Sequence, residues 1–226
     1  MQAGSGRRLA PLRPEHPQKE LTVSLEDQRQ HRASEEPIVG SLPEAPGIIA
    51  AMSLSPGLAT HLRGLADELL VKEYPGASIT RMERELIATA VSAANECFYC
   101  MDCHGAFALA LMKDAPPSSA ALVEDLKRGD GSRLSEKMRA LVDLARIVQR
   151  RARDVTRNDV ARALRAGATD ADTQLAVLIA SAFCMYNRMV DGLRARTPPT
   201  VDAYRTRAKE IAEHGYSDSR VASIPR

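Results

Sequence analysis

Thr80-Arg81-Met82-Glu83-Arg84-Glu85-Leu86-Ile87-Ala88-Thr89-Ala90-Val91-Ser92-Ala93-Ala94-Asn95 runs directly into Glu96-Cys97-Phe98-Tyr99-Cys100-Met101-Asp102-Cys103-His104. Thr80 and Glu83 form a Thr-x-x-Glu pair that opens a helix, because each side chain can satisfy the other residue's free N–H. Leu86, Ala90, Ala93 and Ala94 continue a small apolar face as far as a turn at Asn95-Glu96. A second helix begins at Cys97 and carries Ala106, Phe107, Leu109, Ala110 and Leu111 toward Pro116-Pro117. If the two helices run antiparallel, Glu85 (about ten residues before the turn) and His104 (about eight after it) stand nearly level, at a rise of about 1.5 Å per residue.

Outward from this hairpin, the remaining pattern is helical. Pro56-Gly57 follows Leu54-Ser55 at a helix start, and Leu58, Leu62, Leu65, Leu69 and Leu70 are spaced for one helical face until Tyr74-Pro75-Gly76. Short apolar spacing recurs from Leu122 to Leu126, and a longer one runs from Ser135-Glu136 through Met138, Leu141, Leu144 and Val148. Thr156 and Thr169 read as N-caps, Gly167 as a stop, and Leu175 to Leu193 as a buried helix. A polar helix with Tyr204 and Ile211 closes the series. No alternating strand pattern is present. The expected fold is all-α, with about seven or eight helices over residues 41–215. Residues 1–40, punctuated by Pro11, Pro14, Pro17 and Pro37, are expected to be a disordered tail with a transient helical turn near Leu21 to Arg32. Residues 216–226 are expected to fray.

Composition narrows the function. With 44% hydrophobic residues, the 226-residue chain can bury one sizeable core. A net charge of only +2 supplies no field for nucleic acid, and no apolar run spans a bilayer. Met1 to Arg8 shows no apolar secretory segment, so a cytoplasmic location is expected. Four cysteines in that setting point to redox or metal chemistry rather than to a disulfide scaffold.

Three of those thiols lie in one Cys-x-x-Cys-x-x-Cys-His run. Cys97 and Cys100 occupy the first turn of a helix, where free N–H groups and the positive dipole end favour a thiolate. One thiolate can attack an oxidant and the other can close a disulfide on it. Cys100 and His104, four apart, share a face, and a carboxylate level with an imidazole is a proton-relay pair. The same segment holds a Cys-x-x-Cys-His haem-attachment pattern from Cys100 to His104 and a zinc-type set of Cys97, Cys100, Cys103 and His104. Glu85 beside His104 favours the redox reading. Cys184 lies amid apolar residues and reads as packing. Asn187, Arg188 and Asp191 are expected either to line the pocket or to tie helices together.

Glu85, then Cys97, Cys100 and His104, with the run from Ala90 to Cys100, resembles the alkylhydroperoxidase D (AhpD-like) group of the carboxymuconolactone decarboxylase superfamily, whose pattern is Glu, eleven residues, Cys-x-x-Cys-x-x-x-His. Phe183 to Asp191 is similar to the Asn-Arg…Asp stretch of its peroxidase-related branch. The resemblance covers about residues 42–193 and implies an all-helical, oligomeric (trimer-based) enzyme. The implied activity is reduction of alkyl hydroperoxides without a cofactor. By position, Cys100 would be the peroxidatic thiol, Cys97 the resolving thiol, and Glu85 and His104 the proton relay. A dihydrolipoyl-type or thioredoxin-like dithiol would reduce the disulfide. Cys103 departs from the family pattern and is a possible auxiliary thiol. The alternative reading is a redox-sensing or zinc-binding helical module without turnover.

Overall fold

Thr80, Thr156 and Thr169 each accept a backbone N–H three residues on, and the acid at that position (Glu83, Asp159 or Asp172) accepts the threonine's own N–H. These capping boxes fix three helix starts at positions legible in the sequence. A computed structural model describes residues 24–112 and 116–218. Among them the chain forms α1 (Leu25–Ala33), α2 (Gly47–Ser53), α3 (Pro56–Leu70), α4 (Arg81–Ala94), α5 (Phe98–Leu111), α6 (Pro117–Lys127), α7 (Glu136–Arg151), α8 (Arg157–Arg165), α9 (Asp170–Gly192) and α10 (Arg205–His214). Two short 3-10 turns occur at 152–154 and 201–204, and there is no strand among the described residues.

Among the described residues the fold is all-α, with ten α-helices rather than seven or eight. Two helices lack the apolar periodicity that the expected count relied on. The seven-residue α2 is too short to show a period, and it is buried at Ile49, Ala50, Ala51 and Met52. The polar α1 falls inside the segment expected to be a disordered tail, whose residues 1–23 lie outside the described ones. Its one buried residue is Arg29, and an ion pair with Asp102 of α5 holds it there.

The core is organised around the α4–α5 hairpin. Arg84 to Ser92 are buried without interruption, so α4 is covered on every side, by α3, α5, α6, α7 and α9. α5 is equally enclosed over Phe98 to Gly105. α10 packs on α5, and α9 spans both α4 and α7. Asp172 joins the start of α9 to the loop before α4. Its carboxylate accepts from the N–H and hydroxyl of Ser78 (2.7 and 2.6 Å) and from the N–H groups of Ile79 (3.0 Å) and Thr169 (2.9 Å). Burial alone would raise this carboxyl, but the four bonds hold it below the usual carboxylate range. Among the described residues, no helix is long and apolar enough to cross a membrane.

Candidate active site

The turn between α4 and α5 places the thiols. The N–H of Cys97 donates to the carbonyl of Ser92 (3.0 Å) and that of Glu96 to Ala93 (2.9 Å), closing the end of α4 in a Schellman motif. That motif needs a left-handed residue, and Glu96 supplies it at φ 58°. The chain therefore reverses within two residues, and Cys97 becomes the N-cap of α5.

Reversal brings Glu85 and His104 level, as their positions relative to the turn require. His104 Nδ1 lies 2.7 Å from Glu85 Oε2. Glu85 is fully buried and His104 is 9% exposed. The imidazole is walled by Phe183 (ring centroids 4.5 Å, edge-on), Phe107 (5.2 Å, edge-on) and Tyr216 (6.1 Å, stacked). With Nδ1 facing a carboxylate, the tautomer leaves Nε2 as the nitrogen that exchanges a proton.

Cys100, Cys103, His104, Tyr99, Arg207 and Tyr216 line one cavity of about 40 Å³. That volume accommodates about one small molecule of the size of water. A larger groove of about 650 Å³ runs between α5, α6 and α10, past Asp102 and Lys127, but reaches none of the thiols. Cys97 is fully buried and is not part of the cavity wall; it lies against Cys100 and within hydrogen-bonding reach of Asp191. All four cysteines are free thiols.

The helix start was expected to favour a thiolate at Cys97, and the environment opposes it. Burial, with Cys100 and Asp191 adjacent, pushes the Cys97 thiol well up. Burial likewise pushes up Cys103, partly countered by Arg207. In both places desolvation outweighs the dipole.

Beneath the thiols sits a buried ionic cluster. Asp102 is bonded by Arg29 Nε (2.6 Å) and NH2 (3.1 Å) from α1 and by Lys127 Nζ (2.9 Å) from α6. Gly105 permits the close approach of α6, since an added Cβ would lie 2.8 Å from Val123 and 3.0 Å from Lys127. Asn187 ties helices together rather than lining the cavity. It accepts from Asn95 (2.8 Å) and donates to Ser92 (3.1 Å) at the end of α4. Arg188 donates to the carbonyl of Cys184 on its own helix, and Asp191 pairs with Arg32 of α1 (2.9 Å). Half-buried Cys184 packs beside Asn95.

Arg207 and Tyr216 are cavity residues that the sequence did not single out. Tyr216 falls in the segment expected to fray, yet it is buried. The one signal for it is an aromatic residue directly after a helix-stopping glycine, Gly215, in a polar terminus.

Comparisons with known proteins bear on the fold and on the segment that carries these residues. Residues 56–115 match the model of the carboxymuconolactone decarboxylase family, a span that holds Glu85, all three clustered cysteines and His104. The curated proteins contain no match. A crystal structure described as an alkylhydroperoxidase AhpD core, an uncharacterized peroxidase-related protein from Ralstonia eutropha JMP134, is similar at 25% identity and TM-score 0.61, covering 73% of this chain and 81% of that one. An uncharacterized peroxidase-related protein from Silicibacter sp. TM1040 shares the fold at 23% identity and TM-score 0.59, covering 71% and 92%. In its matched segment and its fold, the chain is similar to AhpD-like members of the carboxymuconolactone decarboxylase superfamily.

Proposed function

We propose that the protein is a thiol-dependent peroxidase that reduces small hydroperoxides through a Cys97–Cys100 dithiol/disulfide couple. One observation carries the reading: Cys100 and His104 line the same small cavity, and His104 is fixed by a buried carboxylate 2.7 Å away. His104 takes the proton of Cys100, with Glu85 stabilising the imidazolium. The thiolate attacks one peroxide oxygen and the O–O bond breaks. The departing oxygen receives the proton from His104 and leaves as water or alcohol, while Cys100 becomes a sulfenic acid. The Cys97 sulfur then attacks Cys100 as its proton passes to the departing hydroxyl, the S–O bond breaks, water leaves, and a disulfide remains. An external dithiol reduces that disulfide by exchange and is itself oxidised. Cys97 suits the second role. Its buried thiol stays protonated near neutrality and does not compete for peroxide.

The test is dithiol-dependent turnover of hydrogen peroxide and of a bulkier alkyl hydroperoxide. Turnover is expected with wild type, faster with the smaller substrate, and lost in Cys100→Ser; full activity in that variant would overturn the assignment. The full burial of Cys97 and Cys103 favours one second reading, a slow redox sensor without turnover. It gives stoichiometric oxidation by peroxide and no catalysis. Among the described residues, no group of three or more His, Cys, Asp or Glu side chains is arranged to hold a metal ion, so the sensor reading does not lean on zinc.

A further inference from the structure

His104 occupies only one oxygen of Glu85. The Tyr216 hydroxyl donates to the other, Oε1, at 2.7 Å, and also lies 3.3 Å from His104 Nδ1. This phenol comes from beyond α10, outside the segment that matches the family. Its backbone is held from the opposite side. The two oxygens of Asp67, on α3, accept the N–H of Tyr216 (2.6 Å) and of Ser217 (2.9 Å). Gly215 makes the approach possible. Its φ is 76°, and a Cβ there would lie 2.8 Å from Asp67 Oδ1.

We propose that Tyr216 is a positioning residue for the proton relay, held on Glu85 by a C-terminal strap, residues 215–217, that is clamped to Asp67. The proposal rests on the reading of Glu85 and His104 as the relay for Cys100. With both oxygens engaged, the Glu85 carboxylate cannot turn away from the imidazole, and its charge stays directed at Nδ1. A thiolate at Cys100 paired with an imidazolium at His104 depends on that charge. The hydroxyl itself transfers nothing. Burial and the adjacent Glu85 push the phenol well above its ordinary range, so it remains a donor. The other charged or titratable groups around it, among the described residues, are Tyr99, Cys100, Cys103 and His104 on α5, Tyr186 on α9, Arg207 on α10, and Asp67 and Arg63 on α3. From α9 the ring of Phe183 faces His104.

The test is the pH dependence of Cys100 alkylation by iodoacetamide in the full chain, followed by peptide mass spectrometry. It needs no peroxide turnover, so it separates this proposal from the peroxidase reading, which stands or falls with Cys100→Ser. Tyr216→Phe keeps the ring and is expected to slow alkylation at pH 7 about tenfold, with the inflection about one pH unit higher. Asp67→Asn frees the strap and is expected to shift the inflection the same way with Tyr216 intact. An inflection unchanged in Tyr216→Phe with wild-type helicity would overturn the positioning role. An unchanged inflection in Asp67→Asn would overturn the clamp.

Discussion

Glu85 Oε2 and His104 Nδ1 stand 2.7 Å apart across the α4–α5 hairpin, and this bond fixes the imidazole in the cavity wall. Glu85→Gln keeps a hydrogen-bonding group of the same shape but removes the charge that stabilises an imidazolium. Peroxide turnover is expected to fall about a hundredfold, with the fold intact by circular dichroism. A loss below threefold would show that the carboxylate is structural.

The three clustered thiols are separable by trapping. Cys97→Ser should leave Cys100 as a persistent sulfenic acid after one equivalent of peroxide, detected as a dimedone adduct. Cys103→Ser should keep turnover within about threefold, because the proposed disulfide closes between Cys97 and Cys100 and leaves Cys103 out of the cycle. A Cys100–Cys103 bridge in oxidised wild type would reassign the resolving thiol.

Burial of the thiols also makes stability pH-dependent. Cys97 and Cys103 hold their protons more tightly folded than unfolded. Their contribution is whole below the unfolded thiol pKa of about 8.5 and is lost as pH rises from there toward the folded values. Urea melts should show stability falling above about pH 8.5, by up to about 1.4 kcal/mol per pH unit for each thiol. Cys103→Ala should flatten that slope.

At the acid end the sign reverses. Asp172 is held below the usual carboxylate range, so its stabilisation is present above about pH 4 and is lost as pH falls further. Asp172→Asn, which keeps one acceptor oxygen and loses the one that serves two of the four donors, should cost about 2–3 kcal/mol at pH 7 and show less acid sensitivity than wild type.

Asp102→Asn removes the buried counter-charge that Arg29 and Lys127 share, leaving each only its more exposed partner, Glu26 or Glu124, and should cost up to about 3 kcal/mol in denaturant melts. The exposed Glu96, in contrast, pays for its left-handed φ, and Glu96→Gly should stabilise by about 1 kcal/mol.

What could be read from the sequence was whatever depended on neighbours along the chain. Thr80 with Glu83, Thr169 with Asp172, and the turn at Asn95-Glu96 are local devices, and together they align Glu85 with His104. Contacts between distant segments were not legible. Arg29 meets Asp102 across 73 residues and Tyr216 meets Glu85 across 131, and neither residue sits in a periodic apolar pattern. The raised Cys97 thiol has the same origin. Helix-start electrostatics can be read from position, but desolvation depends on which helices close over the site.

The volume of the thiol cavity has a consequence for timing. A space of about 40 Å³ can receive a small peroxide, but the dithiol of a protein reductant, with its flanking backbone, cannot enter. Oxidation and re-reduction by such a partner therefore require different shapes of the molecule. For the proposed peroxidase, the tempo of each cycle is then expected to follow how often the walls part, and raising reductant concentration should bring the rate to a plateau that the chemistry of sulfur does not determine.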